Sequence, residues 1–296
     1  MRFEKWQALG NDYVIVERDE LPFELTAARA RAVCEAHTGV GADGVLLLSR
    51  SADDAYVAEL QIFNPDGSQA ELSGNGAREA ALYLRTRGWT DRDEFSILTA
   101  AGAIRPVITG AYSARVDMGA ALLVSKDFPS GSRDGTGALE LGDGTRVRFQ
   151  HVSLGNPQCA IRVESAADLA SLDLGRLGPP IEAHASFPNR TNVSWYTELD
   201  AGPPARVRAR IFERGVGETA SSGTGASGAA VAYLLQSPER EALLANGAAS
   251  VTVVLDGGEL LVELDEGLNV HLSGWAQPVF AGSLSEAFVR ALAELG

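Results

Sequence analysis

The chain reads as an α+β protein of two pseudo-symmetric domains, each a curved mixed or antiparallel sheet wrapped around a central buried helix. Three observations carry that reading. The phrase Ser-Gly-x-Gly-Ala-x-x-Ala-Ala stands at Ser73 to Ala81 and recurs half a chain length later at Ser222 to Ala230. Both copies run on to Tyr-Leu, at Tyr83-Leu84 and Tyr233-Leu234, through alanine-rich stretches with hardly any polar face, the pattern of a helix buried on all sides. Short β-rich runs surround each copy, and 296 residues hold two domains of about 150 residues each. The expected division is residues 1–118, joined by 277–296, against 119–276.

In the first half, Phe3 to Ala8 and Tyr13 to Glu17 flank the turn Leu9-Gly10-Asn11-Asp12 and read as paired strands. Thr26 caps a helix predicted to run to about His37, with Ala27, Ala30, Val33 and Cys34 on one face. Strands follow at Val45 to Ser49, Tyr56 to Phe63, Phe95 to Thr99, Ala103 to Thr109 and Ala114 to Asp117, with the first duplicated helix, Gly74 to Arg87, among them. The second half repeats the plan: strands at Arg146 to Ser153, Gln158 to Val163, Thr191 to Glu198 and Val207 to Glu213, then a helix from Gly223 to Gln236. Further strands fit Val251 to Leu255, Leu260 to Leu264 and Leu268 to Leu272, and a last helix from Ser283 to Leu295 is expected to return to the first half. Ser130 to Gly144, rich in Gly, Ser and Asp, reads as a mobile loop.

Composition narrows the function. A net charge of −14 argues against nucleic acid or an anionic membrane as partner, because phosphate contacts need clustered Lys and Arg. No apolar run is long enough to span a bilayer, and a cytoplasmic location is expected. The cysteines Cys34 and Cys159 make no C-x-x-C pair, and the histidines His37, His151, His184 and His271 are scattered, so no metal site is predicted. The lysines, Lys5 and Lys126, both lie outside the Gly-rich phrases, so no pyridoxal phosphate and no other cofactor is expected.

The chemistry gathers around the repeat. A helix start with free N–H groups attracts a carboxylate, so Gly74 and Gly223 open two anion cradles, with Thr224 in the second. Asn11, Asn64, Asn75, Asn156 and Asn192 can each donate and accept without net charge, which suits the ammonium and carboxylate of an amino acid, and Arg214 offers a charged partner. A single Asn beside Gly or Pro is more often a turn residue; five flanking a duplicated cradle favour a site. The glycines alone would serve close helix-to-sheet packing equally well.

Gly10-Asn11-Asp12, Asn64-x-Asp66-Gly67-Ser68, Ser73-Gly-Asn-Gly-Ala-Arg78, Gly155-Asn156-Pro157, Glu213-Arg214-Gly215-x-Gly217-Glu218-Thr219 and Ser222-Gly-Thr-Gly-Ala226 together resemble diaminopimelate epimerase, in the family's order and across nearly the whole chain. The resemblance implies two pseudo-symmetric domains with an amino acid between them and inversion at its α-carbon without a cofactor. It also implies a homodimer. In the family the first residue of each phrase is a cysteine, one a thiolate base and the other a thiol acid. Here Ser73 and Ser222 hold those catalytic positions, and Gln158 stands where the family's Gly-Asn-Pro segment continues with histidine.

Serine does not inherit the thiol's role, because an alcohol is a far weaker acid than a thiol near pKa ~8.5. Three readings stay open. The serines could be deliberate replacements, although Gln158, Ser221 and Ser227 beside them look like natural divergence. A carboxyl could supply the base, with Glu213, Glu218, Asp66 or Asp43 as candidates, an arrangement that resembles the phenazine-biosynthesis isomerases. Or the protein binds an amino acid without turning it over. Cys159 and Cys34 are expected to be structural, since Cys159 points away from its strand neighbour Gln158 and Cys34 sits on an apolar helix face.

Overall fold

The computed structural model describes residues 1–244 and 247–295, which fall into two compact units: Met1–Asp117 with Gly274–Gly296, and Met118–Ser273. Residue 296, part of the expected return segment, lies outside the described residues.

In the first unit the sheet runs, in spatial order, Gln277–Ser283, Arg2–Ala8, Asn11–Glu17, Val45–Ser49, Ala58–Phe63, Ile97–Thr99 and Gly102–Ile104. Its central strands are apolar at consecutive positions, as strands covered on both faces must be. Val14, Val16, Val45 and Leu47 meet the helix Ala27–Cys34 and Leu292 of the helix Glu286–Glu294 on one side. On the other side lies the helix Gly74–Thr86, buried from Gly74 to Leu84 and packed against the first three strands of the chain. Leu46 approaches Gly76 there, and Trp6 meets Tyr83 edge-on at 6.2 Å.

The second unit repeats this order pairing for pairing. Strands Arg146–Ser153 and Pro157–Arg162 are antiparallel, as are Arg2–Ala8 and Asn11–Glu17. A helical crossover then leads to a parallel partner, Asn192–Asp200 in one unit and Val45–Ser49 in the other. An antiparallel strand follows, Ala205–Glu213 or Ala58–Phe63, and turns back in a short hairpin with Gly217–Thr219 or Gln69–Ala70. The duplicated helix comes next, Gly223–Gln236 here, and the chain rejoins in parallel at Ala248–Leu255 or Ile97–Thr99. Helices Ala166–Ser171 and Leu174–Glu182 cover the outer face over Phe149, Cys159, Val193 and Trp195.

Several sequence expectations are corrected. The segment from Ser130 to Gly144 contains the strand Thr136–Glu140, paired with Arg146–Ser153. One of its glycines is a packing residue: a Cβ at Gly137 would lie 2.5 Å from Phe149 Cζ. The expected strand Ala103 to Thr109 is two, Gly102–Ile104 and Val107–Gly110, parted at Pro106, which has no N–H to pair. The helix capped by Thr26 stops at Cys34, short of His37, and the chain doubles back so that Val40 N–H donates to Val33 O at 2.8 Å. Strand Gln277–Ser283 escaped notice because it is an edge, mostly exposed, with Pro278 at a register slip opposite Trp6. The closing helix, capped by Ser285, is tied to this unit by Arg29, whose Nε donates to Leu292 O at 2.8 Å.

Candidate functional site

Each phrase folds the same way. Ser73 and Ser222 are N-caps in extended backbone, at φ −131°, ψ 124° and φ −141°, ψ 120°, and their hydroxyls accept from the N–H of Gly76 at 3.1 Å and of Gly225 at 3.3 Å. An N-cap hydroxyl satisfies one orphan donor and leaves neighbouring N–H groups of the first turn free of intrahelical partners. The second glycine of each phrase is a packing residue: a Cβ would meet Leu46 Cδ2 at 3.1 Å beside Gly76, and Ile211 Cδ1 at 2.7 Å beside Gly225.

In the first unit, Asn75 Nδ2 donates to Asn11 Oδ1 at 3.1 Å, and Asn11 Nδ2 to Asp43 Oδ2 at 2.9 Å. Arg78, wholly buried, donates from Nη2 to Asn75 Oδ1 at 2.6 Å. A guanidinium can only donate and a carboxylate can only accept, so the direction of both amides between them is fixed. Lys5 pairs with Asp12 at 2.8 Å and donates to Gly41 O, bracing the Asn11 turn. Tyr13, two residues after Asn11 on the same strand face, donates from its hydroxyl to Ser73 Oγ at 3.2 Å. Asn64 lies apart from this network in the hairpin turn, where its Nδ2 donates to Ser68 Oγ at 2.9 Å and its carbonyl accepts from Gly67 N–H.

In the second unit, Ser222 Oγ donates to Glu213 Oε2 at 2.9 Å, and Thr219 Oγ1 donates to Glu213 Oε1 at 2.8 Å. Thr224 Oγ1 accepts from both Asn156 Nδ2 and Gln158 Nε2 at 3.2 Å, and Gln158 Nε2 also reaches Asn156 Oδ1 at 2.8 Å. With two donors aimed at its oxygen, the Thr224 hydroxyl proton is turned outward as a donor. Asn192 is a brace: its Oδ1 accepts from Arg214 N–H at 2.8 Å and its Nδ2 donates to Pro157 O at 3.2 Å. Arg214 is exposed, and its Nη1 donates to Asn189 O.

Among the four candidate carboxyls, Glu213 is hydrogen-bonded to a phrase serine. Asp66 is exposed and held below the usual carboxylate range by hydrogen bonds from the Ser68 side chain and backbone, which removes it as a base raised by burial. Glu218 is engaged by Arg210 at 2.7 Å, and Asp43 by Asn11 and the Asp12 N–H. Burial pushes the Cys34 thiol up to about 12, with Asp12 and Asp43 adding to the effect, and raises that of Cys159 as well. Both sit in the outer apolar clusters, so neither is poised as a thiolate.

Sequence reasoning missed Tyr13, Thr219, Arg78 and Glu182. Period-two spacing from Asn11 was the signal for Tyr13. Glu182 Oε1 accepts from Gly215 N–H at 2.9 Å and fixes the turn after Glu213; it sits on a helix disguised by Pro179 and Pro180.

A family model described as diaminopimelate epimerase matches residues 3–124 and 150–273. A diaminopimelate epimerase of Pelotomaculum thermopropionicum is 39% identical over 95% of this chain and 98% of its own length. One of Desulforudis audaxviator is 40% identical over 95% of this chain and 98% of its own. Among solved structures, a phenazine biosynthesis protein of the PhzF family from Bacillus anthracis has a TM-score of 0.70 at 18% identity, covering 96% of this chain and 99% of that one. A hydroxyproline epimerase from Agrobacterium vitis, solved with bound trans-4-hydroxy-L-proline, has a TM-score of 0.62 at 15% identity, covering 95% and 91%. These last two speak for the two-unit fold, and the model match and curated relatives for the family: the chain is an isomerase that belongs to the diaminopimelate epimerase family.

Proposed function

We propose that the protein interconverts LL- and meso-diaminopimelate, a step toward lysine and peptidoglycan precursors, without a cofactor, and that Ser73 and Ser222 take the two proton-handling positions. The names of the relatives support the substrate. The observation that carries the mechanism is the Ser222 hydroxyl pointed at a carboxylate whose other oxygen is already held by Thr219.

An alkoxide is out of reach near neutral pH, so Ser222 works as a relay. Its oxygen takes the proton from the α-carbon while its own proton passes to Glu213, and no free alkoxide forms. The negative charge left on the substrate is carried toward its α-carboxylate, which the free N–H groups of a helix start stabilise. Thr224, with its proton turned outward by Asn156 and Gln158, is a further donor to that carboxylate. In the first unit, Asn11 and Asn75 present amides of fixed direction that suit amino and carboxyl groups.

A second reading rests on the same bond. Glu213 could take the α-proton directly, with Ser222 merely holding it, as a carboxylate-driven isomerase would. The two are separated by variants: Ser222→Ala abolishes turnover in the relay and is tolerated when Glu213 acts alone, whereas Glu213→Gln disables both. The test of the proposal itself is incubation of the purified protein with LL-diaminopimelate in deuterated water, followed by mass spectrometry and chiral separation. Deuterium at the α-carbon together with the meso isomer is expected. Binding without either product would make the protein an amino acid binder.

A cytoplasmic homodimer is proposed with this function. The location is supported by the precursor pathway, and among the described residues no helix is long and apolar enough to cross a membrane.

A further inference from the structure

The two serines are held in opposite hydrogen-bonding polarity. Ser222 gives its proton to a carboxylate, whereas Ser73 Oγ accepts twice, from Gly76 N–H at 3.1 Å and from the Tyr13 hydroxyl at 3.2 Å. The hairpin that supplies Glu213 in the second unit has its counterpart after Phe63, but there Asn64 turns to Ser68, and the partner of Ser73 comes from the strand Asn11–Glu17 instead. The placement of that partner is built in. Tyr13 is buried, and its ring lies across Gly44, where a Cβ would stand 2.6 Å from Tyr13 Cε1 and 2.5 Å from Phe63 O. Any residue larger than glycine at position 44 would push the ring away, and its hydroxyl off Ser73.

We infer that Tyr13 is the proton partner of Ser73, acting through it as Glu213 acts through Ser222, so that one serine is paired with a phenol and the other with a carboxylate. This rests on the proposed epimerase reaction. In the delivering direction the Ser73 O–H bond breaks and its proton joins the carbanionic α-carbon, whose electron pair forms the new C–H bond. In the same event Ser73 Oγ takes the phenolic proton of Tyr13, leaving a phenolate. In the reverse direction the α-proton passes to Ser73 and the Ser73 proton to the Tyr13 phenolate. Proton exchange with water resets Glu213 and Tyr13 between turnovers. The phenol matters because it is a stronger acid than an aliphatic alcohol by several orders of magnitude, so charge that serine could not hold comes to rest on the ring oxygen.

Tyr13→Phe removes the hydroxyl and keeps the ring over Gly44. Inversion is expected to fall about a hundredfold with KM within about twofold. In deuterated water the isomer that loses its proton toward Ser222 should still take up deuterium at the α-carbon without inverting, because abstraction survives while delivery from Ser73 fails. Replacing Tyr13 with 3-fluorotyrosine, a more acidic phenol, should restore inversion and move the alkaline limb of the pH–rate profile to lower pH. The inference is overturned if Tyr13→Phe keeps kcat, or if it loses exchange and inversion alike from both isomers, which is the signature of a structural role. An unmodified protein that neither exchanges nor inverts would instead bring down the epimerase reading itself.

Discussion

Ser222 Oγ lies 2.9 Å from Glu213 Oε2 and donates to it, while Thr219 occupies the other carboxylate oxygen. That bond gives an alcohol a place to put its proton. Glu213→Gln preserves size but offers an amide that cannot accept a proton at neutral pH. Turnover should fall about 10²- to 10⁴-fold, the usual worth of a positioned general base, with a smaller change in KM. Steady-state kinetics of epimerisation measure it, and a loss under about fivefold would exclude Glu213 as base.

A second expectation concerns what the serines lack. A thiol with an ordinary pKa of ~8.5 at a helix N-terminus reaches the thiolate form far more readily than an alcohol. Ser73→Cys with Ser222→Cys should therefore raise the rate and add a thiol ionisation to the pH–rate profile. Sensitivity to alkylating agents should appear with it, since the native Cys34 and Cys159 are buried thiols with raised pKa values. A double variant slower than the parent would mean that Glu213 and Tyr13 are tuned to oxygen acids.

Much of this was legible in the chain because the repeat fixed two helix starts at once. The helix predicted from Gly223 to Gln236 and the strand from Arg146 to Ser153 occur with those bounds. The continuous apolar run at Val45 to Ser49 likewise located a strand buried on both faces. What stayed hidden was set by tertiary context. Leu174–Glu182 carries two prolines, and Thr136–Glu140 is short, with a glycine at its second position that accommodates Phe149. Glu213 could be named as one carboxyl among four, but only the fold separates it from Glu218, bound to Arg210, and from Asp66, exposed beside Ser68. Asn192 and Asn64 carry the right chemistry for ligand binding, and in the fold each also holds a turn, Asn192 the Arg214 turn and Asn64 a hairpin. Sequence cannot weigh those uses of an amide.

The paired glycines should respond unequally to alanine. In a helix interior Gly→Ala gains about 1 kcal/mol in propensity. At Gly76 the added Cβ would lie 3.1 Å from a Leu46 methyl and 3.3 Å from Ser73 Cβ, contacts that a shift of a few tenths of an ångström relieves, so the net effect should be near zero. At Gly225 it would lie 2.7 and 2.9 Å from Cδ1 and Cγ2 of Ile211, a β-branched side chain that is 1% exposed. Overpacking of that kind costs about 1–3 kcal/mol and should outweigh the gain. Urea denaturation of both variants checks the order, and equal midpoints would refute it.

Glu79 sits beside Arg78 on the first duplicated helix, both wholly buried, and among the described residues neither carboxylate oxygen of Glu79 has a hydrogen-bond partner. Burial raises its carboxyl well above the ordinary 4.5; Arg78 opposes this, and Asp12 and Asp43 add to it. The guanidinium of Arg78 is itself held to about 10 by burial and stays charged at neutral pH. The linkage has a definite sign. Above the ordinary value the folded chain keeps a proton that the unfolded chain has released, so the contribution to stability is full below pH 4.5 and is lost as pH rises toward the folded pKa. Its slope reaches at most about 1.4 kcal/mol per pH unit. Glu79→Gln removes the titrating group while keeping its shape, so the variant should gain on the parent as pH rises above the ordinary 4.5 and lose that advantage below it. Denaturant titrations of both proteins on both sides of that value measure the difference. A gap that stays constant with pH, or widens toward acid, would show that Glu79 is ionised in the folded protein and held by Arg78.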